Sequence, residues 1–294
     1  MNSAPASTAL NRGTTWQPGT APVAVVMISL NEAHNMVDVL ENLKGFAQEV
    51  FLVDSYSSDE TVDIALSYGV HVVQRPFRGF GEQWNFAMRE LPITTPWTMK
   101  LDPDERLTQQ LKQEIAVTIA NNDVNGFYVR RRLWFMGVPL HVEQTILRGW
   151  RTGKCRFSDV LVNEHPLVEG QLGSLKGHLE HHDSPSLFHW LEKQNKYSSA
   201  EAESFHFELN LSDRPRIFGT KLQRRMWLKT NFRRFPFRYT MLTLYNYIFL
   251  GAWRSGKVGW IWSRLRTDVH RQIEFKIFEL ENHRAANHPD KCKN

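Results

Sequence analysis

Asp102 and Asp104 stand one residue apart in Lys100-Leu101-Asp102-Pro103-Asp104-Glu105-Arg106, directly after the apolar stretch Trp97–Leu101. Two carboxylates at a strand end suit a hard divalent cation. Mg²⁺ takes one or two protein carboxylates and completes its octahedron with water and substrate phosphates. Such a site serves a reaction in which a diphosphate leaves. Asp-Pro-Asp is also good turn chemistry, so the pair alone does not separate a metal site from a polar turn. A second concentration of ligand-type groups is His178-Leu179-Glu180-His181-His182-Asp183. A histidine from this run, with His182 the first choice, would complete the shell beside Asp104. The alternative is simple hydrogen bonding on a loop. Zinc fits less well, because the spacing matches no usual structural site and Cys155 and Cys292 are far away in sequence.

The pattern around these residues predicts what positions them. Val23–Leu30 is a continuous apolar run, as in a strand buried on both faces. Met36, Val39, Leu40 and Leu43 follow at helical spacing. Glu49–Asp54 reads as a second strand. Ser57 with Glu60 reads as a capping box opening a helix through Tyr68. Val70–Gln74, Gly81–Glu90 and Trp97–Leu101 continue as strand, helix and strand. The alternation predicts an α/β fold with a mostly parallel sheet flanked by helices. In such sheets ligands bind beyond the carboxyl ends of the strands, where Asn31, Asp54 and Asp102 all fall. Further on, Gln109–Ala120 predicts a helix and Gly126–Trp134 a strand. Residues 140–182 read as short strands and loops. Ser184-Pro185 predicts the start of a helix through about Phe207.

Three segments in this order resemble family-two glycosyltransferases, inverting enzymes of the GT-A fold. They are Ile28-Ser29-Leu30-Asn31-Glu32, Val53-Asp54-Ser55-Tyr56-Ser57-Ser58-Asp59-Glu60-Thr61 and Leu101-Asp102-Pro103-Asp104-Glu105-Arg106. Arg78-Gly79-Phe80-Gly81-Glu82-Gln83-Trp84-Asn85 and Val162-Asn163-Glu164-His165 resemble, more narrowly, the bacterial lipopolysaccharide-core β-glucosyltransferase branch. The likeness runs from about residue 22 to 205. Members usually carry Val-His-Glu where this chain has Val162-Asn163-Glu164, and often Asp-Ala-Asp-Glu where it has Asp102-Pro103-Asp104-Glu105. Both departures keep the carboxylates.

The resemblance implies a hexosyltransferase that uses a nucleoside-diphosphate sugar, with UDP favoured, and Mg²⁺ or Mn²⁺. Asp104 would contact the metal directly. Asp102 would bind the sugar or ribose, or the metal through water. Inverting transfer needs one carboxylate to take the acceptor proton, and Glu164 is the candidate base, with Glu143 and Glu169 in reserve. Asp54 would receive hydrogen bonds from a base or ribose, or would bond its own backbone, and Ser55 follows it in the same motif. Asn31 and Glu32 would contact the nucleoside or cap the following helix. Arg75 and Arg78 would face phosphates or simply be exposed. Lys196 would reach a phosphate or belong to a solvated helix face.

Composition sets the surroundings. The chain has 294 residues, 41% hydrophobic and 23% charged, as in soluble globular proteins. Two cysteines are too few for a disulfide framework and point to a reducing cytosol. Residues 1–20 are rich in small residues and read as a disordered leader without the pattern of a secretory signal. Residues 214–266 hold 13 of the 36 Lys/Arg, 12 aromatics and no Asp or Glu. The remaining 23 basic residues face 31 acidic ones. A basic segment joined to an acidic body predicts an anionic partner surface. Tyr239–Trp253 is its most apolar part, about 22 Å long as a helix, against a hydrocarbon core of roughly 30 Å. An interfacial region on anionic lipid is therefore expected. The competing readings are packing on protein and a single-strand nucleic-acid platform. The acidic body and the sugar-nucleotide motifs count against nucleic acid. His270–Arg284 reads as a terminal amphipathic helix and an oligomer contact.

These readings divide the chain into a leader (1–20), a GT-A catalytic domain (21–208) and a C-terminal helical membrane or oligomer-contact region (209–294). The expected setting is the cytoplasm, peripheral on the inner face of the bacterial inner membrane, with a lipid-linked or lipopolysaccharide-type glycan as acceptor. A sugar-phosphate nucleotidyltransferase is a competing class, but it usually needs a glycine-rich loop after the first strand, and Ser29-Leu30-Asn31-Glu32 has no glycine. A non-catalytic membrane scaffold binding sugar nucleotides is the other.

Overall fold

The computed structural model describes residues 8–10, 13–158, 165–206 and 235–287, together with 216–219, 223, 224, 227 and 231. Two compact units divide the chain. The first holds residues 1–134 and 143–183, and the second holds 135–142 and 184–294. The last contact boundary falls at Asp183/Ser184; the 208/209 boundary expected from sequence lies outside the described residues.

The strands are β1 (Thr8–Leu10), β2 (Ala21–Ser29), β3 (Ala47–Asp54), β4 (His71–Gln74), β5 (Trp97–Lys100), β6 (Glu105–Leu107), β7 (Gly126–Phe135), β8 (Val138–Arg151), β9 (Cys155–Phe157), β10 (Pro166–Val168) and β11 (Leu172–His181). Nine of them form one sheet in the order β1-β4-β3-β2-β5-β8-β7-β11-β6, and β9 pairs with β10 apart from it. Strands β2 to β5 run parallel, β8 turns antiparallel to β5, and β11 is parallel to β7. Four helices alternate with them: α1 (Ala33–Leu43), α2 (Thr61–Ser67), α3 (Phe80–Glu90) and α4 (Gln109–Asn121).

The apolar run in β2 follows from burial on both sides. Val23, Val25 and Met27 enter one core with Met36, Leu40 and Leu111. Ala24 and Val26 enter the other with Trp84, Trp150 and Phe157. A strand covered on both faces cannot alternate polar and apolar residues. Trp84, Trp97 and Trp150 are fully buried. Truncating any of them to alanine would cost about 3–5 kcal/mol.

Four sequence expectations change. No capping box forms at Ser57, because its hydroxyl is taken by Asp54 and Asn31, and α2 starts at Thr61. Residues 138–151 and 172–181 are long strands of the main sheet rather than short strands and loops. Part of the supposed leader is ordered against the sheet. Thr8–Leu10 pairs with β4, and Trp16 bonds the carbonyls of Gly69 and Ala47. The helix expected to open at Ser184 starts at Leu187, with Ser186 accepting from the His189 amide.

The second unit contains α5 (Leu187–His206), α6 (Arg238–Leu244), a π-helical turn (Tyr245–Phe249), a short 3₁₀ turn (Ala252–Ser255) and α7 (Gly256–Asn287). The apolar stretch 239–253 is therefore not one helix. Gly251 at φ 83° breaks it, and a Cβ there would meet the His141 carbonyl at 3.0 Å. Lys276 of α7 fastens α5 through the Asn195 carbonyl (2.7 Å) and the Ser198 and Ser199 hydroxyls (both 2.8 Å). Among the described residues, no helix is long and apolar enough to cross a membrane.

Candidate functional site

At the carboxyl end of β3, Asp54 is fully buried and meets four donor groups. They are the Ser29 hydroxyl (2.9 Å), the Ser57 amide (2.9 Å) and hydroxyl (2.5 Å), and the Gln74 amide (3.0 Å). These donors hold its carboxylate at the edge of the sheet and tie the ends of β2, β3 and β4 together. The two loops that meet here each carry a left-handed residue, Asn31 (φ 57°) after β2 and Tyr56 (φ 60°) after β3. Asn tolerates that conformation. A Tyr there costs about 1–2 kcal/mol and persists because the surrounding bonds over-determine it.

Asn31 ties the first two strand ends together. Its amide donates to Ser57 Oγ (2.8 Å), and its Oδ1 accepts from the Ser58 amide (2.8 Å). Glu32 receives the Asn35 side chain (2.8 Å) but makes no side-chain cap. The α1 N-terminus is served from across the edge by Asp59, which accepts from the Ala33 amide (3.1 Å). Ser55 Oγ accepts from Gln83 (3.2 Å). Arg75 is buried, pairs with Glu82 (2.5 Å) and lies 4.1 Å over the Phe86 ring, while its Nη1 has no partner. Arg78 is exposed on the same connection.

The 100–106 loop is held from below by Arg148 of β8. This buried guanidinium pairs with Asp102 (2.7 Å) and with Glu105. Burial alone would raise the Asp102 carboxyl, but Arg148, then Lys100, pulls it down to about 2. Glu105 also receives the Asp102 amide (3.0 Å) and Arg131 (3.4 Å). Arg106 clasps the loop backbone through the carbonyls of Pro103 (2.6 Å) and Glu105 (2.8 Å). Two of the three loop carboxylates are thus neutralised by arginine. The Asp102 side chain stays 31% exposed.

Asp104 points elsewhere. It is buried, and its Oδ2 lies 3.3 Å from His181 Nε2. Asp104, His181 and Asp183 bring one ligand atom each within 4.8 Å of one another. Burial would push the His181 imidazole down, yet the adjoining Asp104 carboxylate raises it. A bound cation would displace that proton. His182, the histidine favoured from sequence, is not one of these three. Its ring stacks on Trp134 (4.5 Å) and joins Asn35, Asp38 and Arg106 around a cavity. Burial, then the nearby Arg106 charge, lowers its pKa.

The other candidates are scattered. Glu164 lies outside the described residues, with Val162 and Asn163. Glu143 accepts from His178 (2.8 Å), and Glu169 is exposed. Lys196 is exposed on α5 in the second unit. Sequence reasoning missed Arg148, Arg131, Glu105, His181 and Asp183. The last two stood in the histidine-rich run. No local signal marked the arginines, which are 43 and 26 residues from Glu105.

Residues 24–162 match the profile of Glycosyl transferase family 2. Over 252 residues the chain is 29% identical to the lipopolysaccharide core biosynthesis glycosyltransferase LpsC of Rhizobium meliloti (strain 1021), covering 82% of this chain and 86% of that protein. A shorter stretch of 108 residues is 36% identical to an uncharacterized glycosyltransferase of Rickettsia bellii (strain RML369-C), covering 37% of this chain and 36% of that one. Among solved structures, the mannosyltransferase PcManGT from Pyrobaculum calidifontis, in complex with GDP-Man and Mn²⁺, has a similar fold. The TM-score is 0.52 over 90% of this chain and 91% of that one, at 14% identity. With the matched segment, the mixed sheet and the strand-end carboxylates in agreement, the chain carries a glycosyl transferase family 2 domain over residues 24–162, on a GT-A-like fold.

Proposed function

We propose that this protein is an inverting, metal-dependent hexosyltransferase that moves a sugar from a nucleoside diphosphate to a lipopolysaccharide-type or lipid-linked glycan. The observation that carries the reading is the convergence of Asp104, His181 and Asp183 beside a loop whose other carboxylates are already paired. Two carboxylates and an imidazole fit a divalent ion, and the nitrogen donor tilts the choice from Mg²⁺ toward Mn²⁺. Bound there, the ion supplies charge stabilisation to the departing nucleoside diphosphate. Asp102 receives a sugar or ribose hydroxyl while Arg148 keeps its carboxylate ionised. Asn31 and Ser55 border the nucleoside side of the same edge. Glu164 takes the acceptor proton as the oxygen attacks the anomeric carbon from the face opposite the leaving group.

A uridine donor follows the family resemblance, and the acceptor class follows the relative LpsC. A lipid-anchored acceptor sets the reaction at the inner face of the bacterial inner membrane. The decisive experiment measures transfer and donor affinity in Asp104→Asn and Glu164→Gln with Mn²⁺ present. Both lose transfer, and only the first weakens donor binding strongly. Full turnover in both variants, or turnover indifferent to a chelator, rules the reading out. A thermal-shift screen of uridine and guanosine sugar nucleotides identifies the donor, because a ligand of the native state raises the melting temperature.

A further inference from the structure

Helix α6 and the π-helical turn that prolongs it are built inside out. Positions 237, 240, 241, 244, 245, 248 and 249 are exposed and recur every three or four residues, so they form one stripe. That stripe reads Phe, Thr, Met, Leu, Tyr, Ile, Phe. Phe237 is 83% exposed and Phe249 78%. The opposite face buries Thr243 and Asn246. Thr243 Oγ1 lies 3.0 Å from Thr267 Oγ1 of α7, and Thr267 donates to the Ser263 carbonyl at 2.9 Å. A helix meant for water puts its apolar stripe inward. Hydroxyl and small residues at the helix contact, with large apolar groups outward, are the arrangement favoured in lipid.

Charge identifies which surface covers the stripe. No Asp or Glu occurs between positions 214 and 266. Arg254, Lys257 and Arg264 follow the stripe and are exposed, with Arg254 beside the Trp253 ring. Arg238 is already neutralised by Glu274 (2.8 and 2.9 Å). The run 237–249 is about 20 Å long at helical rise, short of a hydrocarbon core of roughly 30 Å. A run of that length would lie along a bilayer surface rather than cross it. We infer that Phe237, Met241, Leu244, Tyr245, Ile248 and Phe249 insert into the acyl boundary of an anionic bilayer, with Arg254 and Lys257 at its phosphates.

The test uses the full chain with sedimenting vesicles of phosphatidylcholine alone, or of phosphatidylcholine and phosphatidylglycerol in equal parts. The wild type binds the anionic vesicles and keeps part of that binding at high salt, where screening removes the purely electrostatic share. Phe237→Ser, Ile248→Ser and Phe249→Ser together lower the partition coefficient at least tenfold, with melting temperature and donor-induced thermal shift unchanged. Arg254→Glu with Lys257→Glu lowers binding mainly at low salt. Should the triple variant unfold, Phe249→Ser alone carries the test, its side chain being exposed. Wild type that stays in the supernatant, or apolar variants that bind as well as wild type, overturn the inference. So does a wild-type dimer that the same substitutions dissociate, since a second copy would then cover the stripe. The inference stands apart from the metal-site reading, because vesicle binding and Mn²⁺-dependent transfer are measured separately.

Discussion

Asp54 closes β3 and Asp104 lies on the loop after β5; both are buried, and they have opposite surroundings. Asp54 meets four donor groups within hydrogen-bonding distance. Asp104 meets an imidazole and lies near a second carboxylate. The first arrangement satisfies a charge and stiffens the loop. The second assembles groups that a cation would draw together. Burial of a carboxylate therefore says little by itself, and the donors around it say what it is for.

The comparison breaks most sharply in activity. Asp104→Asn should lower transfer about 10³-fold, the several kcal/mol that a metal's charge stabilisation supplies. Its melting temperature should hardly move. An Asp104→Asn enzyme with normal turnover would make the two aspartates alike. Next is Arg148→Met, which leaves half-buried Asp102 without its nearest counter-charge and fully buried Glu105 with Arg131 alone. Urea unfolding should show a loss of about 3–5 kcal/mol. Asp54→Asn comes third. An amide cannot accept from all four donor groups, and leaving one or two unmet costs about 2 kcal/mol in the same assay. Transfer measured well below the melting temperature should largely survive, which separates a positioning carboxylate from a metal ligand.

The smallest effect is on pH. Asp102 titrates near 2 in the folded protein, against about 3.9 when unfolded. The unfolded chain therefore binds the proton first, and the stability from the Arg148 pair is complete above pH about 4. It is lost as pH falls from about 4 toward 2. Arg148→Met should flatten that part of the stability profile. An unchanged slope would show that the pair does not hold Asp102 down.

What the sequence made legible tracks how many faces of an element are buried. Val23–Ile28 announced a strand because both its faces are covered, so no polar residue interrupts it. β8 mixes exposed and buried residues without a clean period over its length, and residues 140–182 consequently read as short strands and loops. His181 and His182 show a finer limit. They are adjacent in sequence, His181 as the last residue of β11 and His182 just beyond it. The choice between them depends on register, and register depends on the pairing of His181 with Glu105.

The amino-acid sequence alone determined the sugar-transferase domain, the parallel half of the sheet and the placing of Asn31, Asp54 and Asp102 on one edge. Those follow from local periodicity and short motifs, which need only neighbouring residues. Tertiary structure decided that Asp54 ties three strand ends together, that Arg148 neutralises Asp102 and Glu105, and that His181 and Asp183 rather than His182 meet Asp104. It also turned the apolar stripe of α6 outward while burying Thr243 and Asn246. Each of these depends on which distant group arrives as partner. Coulombic and hydrogen-bond partners act over a few ångströms, and only the folded chain brings residues tens of positions apart within that reach.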